Sequence, residues 1–202
     1  MSCMVPKANV WMSRSVGLDH AVNTISRWFQ KNTNGYSERA LLIPKKGELS
    51  SPEPALAQYI SNGNIGSTKG RSATSGGPVL AIGPTWQLLE TALSLADNQA
   101  LGVIEHIPGA NAGWAAAAGA IDLETGEPTP DIPTQMREAL VRLHDAGYNG
   151  YHRREPYFRA RFGPPIETLR ANGYSFDFVA SYLIALGGGR AHSLEDLRKI
   201  YR

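Results

Sequence analysis

The chain has 202 residues, a formal net charge of +2, one cysteine and 42% hydrophobic residues, values typical of one globular domain with at most a small appendage. The single Cys3 excludes an internal disulfide framework and a cysteine-rich zinc site. No apolar run reaches the roughly 18 residues of a membrane span, and the first residues lack the apolar core of a signal peptide. We therefore expect a cytoplasmic protein without a membrane partner.

The charge is distributed unevenly along the chain. Residues 1–45 carry a net charge of +4, residues 46–136 carry −6, and residues 137–202 carry +4. An acidic centre between basic ends permits a nucleic-acid or other acidic partner at one end, but a difference of this size is modest and favours solvated surface charge without a partner.

In the N-terminal part the pattern predicts short elements separated by polar segments. Residues 1–15 look irregular, and residues 19–31 form an amphipathic helix with Asp19 as its cap. Residues 40–43 are a buried strand, and residues 54–60 are one or two helical turns that begin with proline. Residues 61–77 are dense in glycine and serine and predict a long mobile loop.

The segment Gly66–Ser72 in this loop invites comparison with a phosphate-binding P-loop. Its glycine spacing is one residue short, arginine replaces the motif lysine, and the strand follows the segment instead of preceding it. The pattern therefore predicts no nucleotide phosphate site. Lys69 and Arg71 remain candidates for contact with an anion.

Residues 77–107 predict a strand, a helix and a second strand. Pro78–Gly83 is a short run rich in Val, Leu and Ile, Leu101–Ile107 is a second apolar run, and apolar residues recur at helical spacing between them. Two buried strands joined by a helix are most simply a parallel βαβ unit. Open parallel sheets bind ligands at the carboxyl ends of their strands, which here lie near Thr85 and His106.

The run VLAIGPTWQLLE, residues 79–90, resembles the strand, turn and helix of helicase-type RecA-like cores. Pro84, Thr85 and Leu88 carry this resemblance, which implies a Pro-Thr turn facing a nucleic-acid backbone. The family's phosphate-binding loop and acidic box are missing, so the resemblance implies no ATPase chemistry. The alternative is that Thr85 simply caps a helix.

The remainder of the chain predicts a third strand at residues 120–123, a proline-rich linker and a series of helices. The expected helices cover residues 134–146, 155–162, 165–171, 176–186 and 194–201. The predicted fold is α/β, with a small parallel Rossmann-like or RecA-like three-layer core. We divide it into an α/β core at residues 1–127 and a helical subdomain at residues 134–202.

Three residues at the strand ends are catalytic candidates. Glu105 and His106 end the second predicted strand, and Asp122 ends the third. A histidine there suits a general base oriented by a carboxylate, although neighbours in a strand point to opposite faces. No nucleophile elbow accompanies them, and the histidines show no metal-ligand spacing, so the sequence predicts neither a metal site nor a cofactor.

Residues 147–165 interleave arginine with aromatic residues. Arginine pairs with phosphates and aromatic rings stack on bases, so this composition is typical of single-stranded nucleic-acid binding. One alternative is another anionic ligand, and the other is that the rings pack in the core while the arginines face water or pair with acids. The candidate residues are Tyr151, Arg153, Arg154, Tyr157, Arg159 and Arg161.

These observations lead to three functional hypotheses. The first is a non-catalytic, nucleic-acid-associated or regulatory protein that binds through the Arg/Tyr segment. The second is a small-molecule enzyme with its site at the carboxyl edge of the sheet, covered by loop 61–77. The third is an interaction or homo-oligomerisation module, which would use the apolar residues around Trp114.

Overall fold

The computed structural model describes residues 8–68, 72–147, 150–151, 156–187 and 191–201. Six strands form one sheet in which every paired strand is parallel. The strands are β1 (Ala8–Ser13), β2 (Ala40–Ile43), β3 (Ile65–Ser67), β4 (Val79–Ile82), β5 (Ala100–Glu105) and β6 (Ile121–Asp122). Their order across the sheet is β3-β2-β4-β5-β1-β6.

Eight α-helices accompany the sheet within the described residues. They are α1 (Leu18–Asn32), α2 (Pro54–Tyr59), α3 (Trp86–Leu95), α4 (Ala112–Ala118), α5 (Thr134–Ala146), α6 (Pro156–Ala171), α7 (Phe176–Ala185) and α8 (Ala191–Tyr201). The predicted α/β class with a small parallel three-layer core is confirmed.

The sheet is buried on both faces, and each face has its own apolar core. Along β2, Leu41 and Ile43 point to the face covered by α1 and α2, which we call the α1 face. Ala40 and Leu42 point to the opposite α3 face, covered by α3 and α4. Strands buried on two sides need continuous apolar runs, which is why β2, β4 and β5 could be recognised from sequence.

The C-terminal helices extend the layer on the α3 face. Helix α7 packs against α3 and α4, α8 packs against α3 and α7, and α5 contacts α6 and α7. Their buried side chains belong to the same apolar cluster as those of α3 and α4. The proposed division of the chain near residues 127–134 remains a prediction.

The N-terminal strand corrects the prediction that residues 1–15 are irregular. Ala8–Ser13 forms β1, which lies between β5 and β6 and pairs with both. Asn9 and Ser13 interrupt its apolar pattern, so the run does not look like a buried strand. Its neighbours in the sheet come from residues about 90 or more positions later in the chain, which a local pattern cannot reveal.

Loop 61–77 contains an edge strand that the sequence pattern did not predict. Ile65–Ser67 pairs with Leu41–Ile43 although it has only one large apolar residue. The side chain of Asn64 accepts from the amide of Thr74 at 2.8 Å and donates to its carbonyl at 3.0 Å. These bonds join the residue just before β3 to the segment that leads into β4.

Asp19 has a different partner from the predicted one. Helix α1 begins after Gly17 and has no side-chain cap. The Asp19 carboxylate instead accepts from the amide of Ala55, in the first turn of α2, at 2.7 Å. It therefore satisfies one of the free amides at the start of a neighbouring helix.

The prediction of separate helices at residues 155–162 and 165–171 is wrong. Helix α6 continues through Pro164 and Pro165. Gly163 precedes Pro164, and a residue without a Cβ reduces the clash with the proline ring that usually disfavours helical backbone before proline.

Candidate functional site

A cleft of about 640 Å³ opens at the carboxyl edge of the sheet, between β2 and β4. These strands are neighbours, but β2 continues to α2 on the α1 face and β4 continues to α3 on the α3 face. The loops above them therefore diverge. Such a switch point is where open parallel sheets form ligand-binding crevices.

The centre of the cleft is the turn between β4 and α3. Gly83 has a φ of +54°, a left-handed conformation that favours glycine. A Cβ at this position would lie 3.1 Å from the Cβ of His106, so the turn also lies close to the end of β5. Thr85 confirms its predicted role as helix cap, because its hydroxyl accepts from the Leu88 amide at 3.4 Å.

Glu105 holds the loop that follows β5. Its side chain is 5% exposed, and its carboxylate accepts from the amides of Gly109 at 2.9 Å and Asn111 at 2.7 Å. These bonds fix the loop of residues 106–110. Both oxygens of the carboxylate thus have backbone partners, which gives Glu105 a structural role.

The loop held by Glu105 forms one wall of the cleft. His106 is exposed and lines the cleft, together with Ile107, Ala110 and Asn111. The Ile107 side chain is 64% exposed, an unusual position for a large apolar residue. It lies at the rim of the cleft.

Asp122 is not brought together with Glu105 and His106. It pairs with Trp11 in β1, and β1 separates β6 from β5, so the strands of the two candidates are about 10 Å apart. Its carboxylate accepts from the Glu124 amide at 2.9 Å. It shapes the turn at residues 122–127.

The predicted anion-binding residues lie mostly outside the described part of the chain. This applies to Lys69, Arg71, Arg153 and Arg154, and also to the side chains of Tyr157 and Arg159 in α6. Arg161 is exposed on α6.

Tyr151 is a core residue and is not available to stack on a base. It is 2% exposed, its ring centroid lies 5.2 Å from that of Phe162, and its hydroxyl donates to the carbonyl of Leu143 at 3.4 Å. Burial raises the pKa of this hydroxyl well above its usual range.

The apolar patch at Trp114 is also internal. Trp114 is fully buried, and Gly113 faces the backbone of α7. Packing between α4 and α7 explains this patch, so it does not support the oligomerisation hypothesis.

Helices α7 and α8 form a wall of the cleft that the sequence pattern did not indicate. The ring of Phe176 lies 5.1 Å from that of Trp86 and 5.6 Å from that of Tyr201, measured between centroids. The guanidinium of Arg198 lies 5.5 Å from the centre of the Trp86 ring. This aromatic group attaches α8 to the start of α3.

Tyr201 also anchors α8 through its hydroxyl, which donates to the carbonyl of Tyr174 at 2.8 Å. Burial raises the pKa of this hydroxyl to about 12. The unfolded chain therefore loses this proton first, near pH 10, and the stability that Tyr201 contributes declines as the pH rises from 10 to 12.

We expect the variant Tyr201→Phe to be less stable than the wild type below pH 10, with a difference that shrinks by about 1 kcal/mol between pH 10 and 12. Urea unfolding of both proteins at several pH values measures this difference, and the other buried tyrosines cancel because both proteins contain them. A difference that stays constant across this range would contradict the assignment.

In the described ranges, no three histidine, cysteine or acidic side chains converge in an arrangement that could hold a metal ion. Of the helices that the structure describes, none combines the length and apolar character needed to cross a membrane.

No family model, curated protein or solved structure matches the chain.

Proposed function

We propose that the protein binds a small, largely apolar organic molecule in the cleft at the carboxyl edge of its sheet. The observation that carries this proposal is the position of the cleft at the switch point between β2 and β4. Its volume of about 640 Å³ lies within the range of small-molecule sites, and its walls are mainly apolar.

The geometry favours binding over catalysis at this edge. A general base must reach the substrate, whereas Glu105 is buried beneath the loop that it holds and is not among the described residues that line the cleft. Asp122, the other carboxylate considered for orienting His106, lies on a strand two positions away. We therefore assign His106 to the wall of the cleft and give it no chemical role.

Association with nucleic acid remains an alternative prediction. Its main residues, Arg153 and Arg154, lie outside the described part of the chain, and the burial of Tyr151 removes one of its stacking candidates. The small-molecule proposal rests entirely on described residues.

The test is titration with the neutral fluorescent dye N-phenyl-1-naphthylamine, whose emission rises in apolar surroundings. We expect saturable binding by the wild type and several-fold weaker binding by Ile107→Gln, because burying an apolar side chain of this size against a ligand contributes about 1 to 2 kcal/mol. Ile107 is at the rim of the cleft.

Val141 supplies the matched control. It is 39% exposed on α5 and does not line the cleft. Val141→Gln should bind the dye like the wild type. If the wild type does not bind the dye saturably, or if both variants bind it equally well, the proposal is wrong.

A further inference from the structure

We propose that the natural ligand is an amphiphilic organic cation whose apolar body lies at the α1 face and whose ammonium group lies between α7 and α8. This inference rests on the proposed function and adds the chemical class of the ligand and its orientation. The cleft extends across the edge of the sheet from the α1 face to the α3 face. Its lining is aliphatic at the first end and carries charged side chains at the second.

The end of the cleft at the α1 face is aliphatic. The side chains that line it come from β2, β4 and the segments that cover this face, and in the described residues none of them is ionisable. They are Leu18, Ile43, Leu49, Leu56 and Ile82. Such a surface accepts a hydrocarbon chain or ring and offers nothing to a charged group.

The end at the α3 face carries the charges. Asp177 from the first turn of α7 and Glu195 from α8 line it, and both are exposed. Within the described residues, neither carboxylate takes part in an ion pair or a hydrogen bond. Arg198 is the only arginine or lysine among the described residues of this lining, and its guanidinium lies over the ring of Trp86.

Charge complementarity therefore favours a cation at this end. Two carboxylates and one guanidinium line this end, and the guanidinium already has an aromatic partner. The amides in the first turn of α3 favour an anion instead. The carboxylates and these amides therefore act in opposite directions on a charged head group. Comparing the affinities of different head groups on one hydrocarbon chain measures which effect is larger.

The experiment uses three probes with the same chain: octylammonium, octanol and octanoate. Each displaces the bound neutral dye, or is titrated directly by calorimetry. We expect octylammonium to bind about threefold to fivefold more tightly than octanol, the gain typical of exposed ion pairs, and octanoate to bind most weakly. Shortening the chain from octyl to butyl should weaken binding by up to about fourfold for each methylene removed.

Two variants remove the charges that we assign to the head group. Asp177→Asn combined with Glu195→Gln should abolish the preference of octylammonium over octanol, with little change in the affinity for octanol. Glu167→Gln is the control, because Glu167 is exposed on α6 and does not line the cleft. It should leave the preference unchanged.

The outcomes separate this inference from the proposed function. If octanoate binds as tightly as octylammonium, or if the preference survives the double variant, the cation assignment is wrong while the cleft remains a binding site. If the neutral dye and octanol both fail to bind, the proposed function fails as well.

Discussion

Replacing Gly113 by alanine is expected to destabilise the protein by about 3 kcal/mol, the upper part of the range for an overpacked core. A Cβ added at Gly113 would lie 1.9 Å from the carbonyl oxygen of Phe178 and 2.8 Å from the Oγ of Ser181. The first of these atoms belongs to the backbone of α7, so rotating a side chain cannot relieve the contact. The two helices must separate.

The sign of this effect distinguishes packing from helix propensity. In an exposed helix, changing glycine to alanine stabilises by about 1 kcal/mol. At Gly113 the separation of α4 from α7 would also loosen the packing around the buried Trp114. We therefore expect a net loss.

Urea unfolding measures this loss, and Gly47→Ala is the matched control. Apart from its chain neighbours, no described residue places a heavy atom within 4 Å of a Cβ added at Gly47. Its replacement should leave the stability unchanged, or raise it by up to about 1 kcal/mol through the entropy of the unfolded chain. Equal effects of the two substitutions would mean that α4 and α7 do not approach each other as closely as the structure indicates.

Replacing Glu105 by alanine has the second largest expected effect, a loss of about 2 to 3 kcal/mol. The substitution leaves the amides of Gly109 and Asn111 without their acceptor. Water can reach the exposed Gly109, but Asn111 is buried, and an unsatisfied buried donor costs about 1 to 3 kcal/mol. The loop of residues 106–110 should then lose its fixed position.

Two measurements check this expectation. Urea unfolding gives the loss of stability, and amide hydrogen exchange should become faster at Gly109 and Asn111 than in the wild type. Glu105→Gln keeps one acceptor oxygen and should lose only about half as much stability. If Glu105→Ala unfolds like the wild type, the carboxylate does not hold this loop.

The sequence predicts the fold best where each element is recognisable by itself. The unit β4-α3-β5 combines two apolar runs with a helix of regular spacing, and Thr85 marks the start of that helix. Local pattern and global fold agree in this unit, so the prediction from sequence is confirmed.

The prediction fails where long-range contacts decide the structure. Strand β1 contains Asn9 within its apolar run and is recognisable only once its partners β5 and β6 are known. Asp19 looks like a cap for its own helix, yet its partner is Ala55 in another helix. In each case the decisive neighbour is far away in sequence.

The candidate site shows the same division. Thr85 and His106 were placed at the carboxyl edge of the sheet from the βαβ pattern alone, and both line the cleft. The opposite wall comes from α7 and α8, whose residues Asp177 and Arg198 follow Thr85 by about 90 residues or more. No local signal connects them with the sheet, because only tertiary packing brings them there.

The most direct test of the binding site uses the four tryptophans as reporters: Trp11, Trp28, Trp86 and Trp114. Among the described residues that line the cleft, Trp86 is the one tryptophan. In the proton–nitrogen correlation spectrum of labelled protein, assigned with Trp86→Phe, octylammonium should shift the indole signal of Trp86 in a saturable manner. The other three indole signals should move little. An unchanged Trp86 signal, at concentrations of the probe that shift another indole, would contradict the proposed binding site.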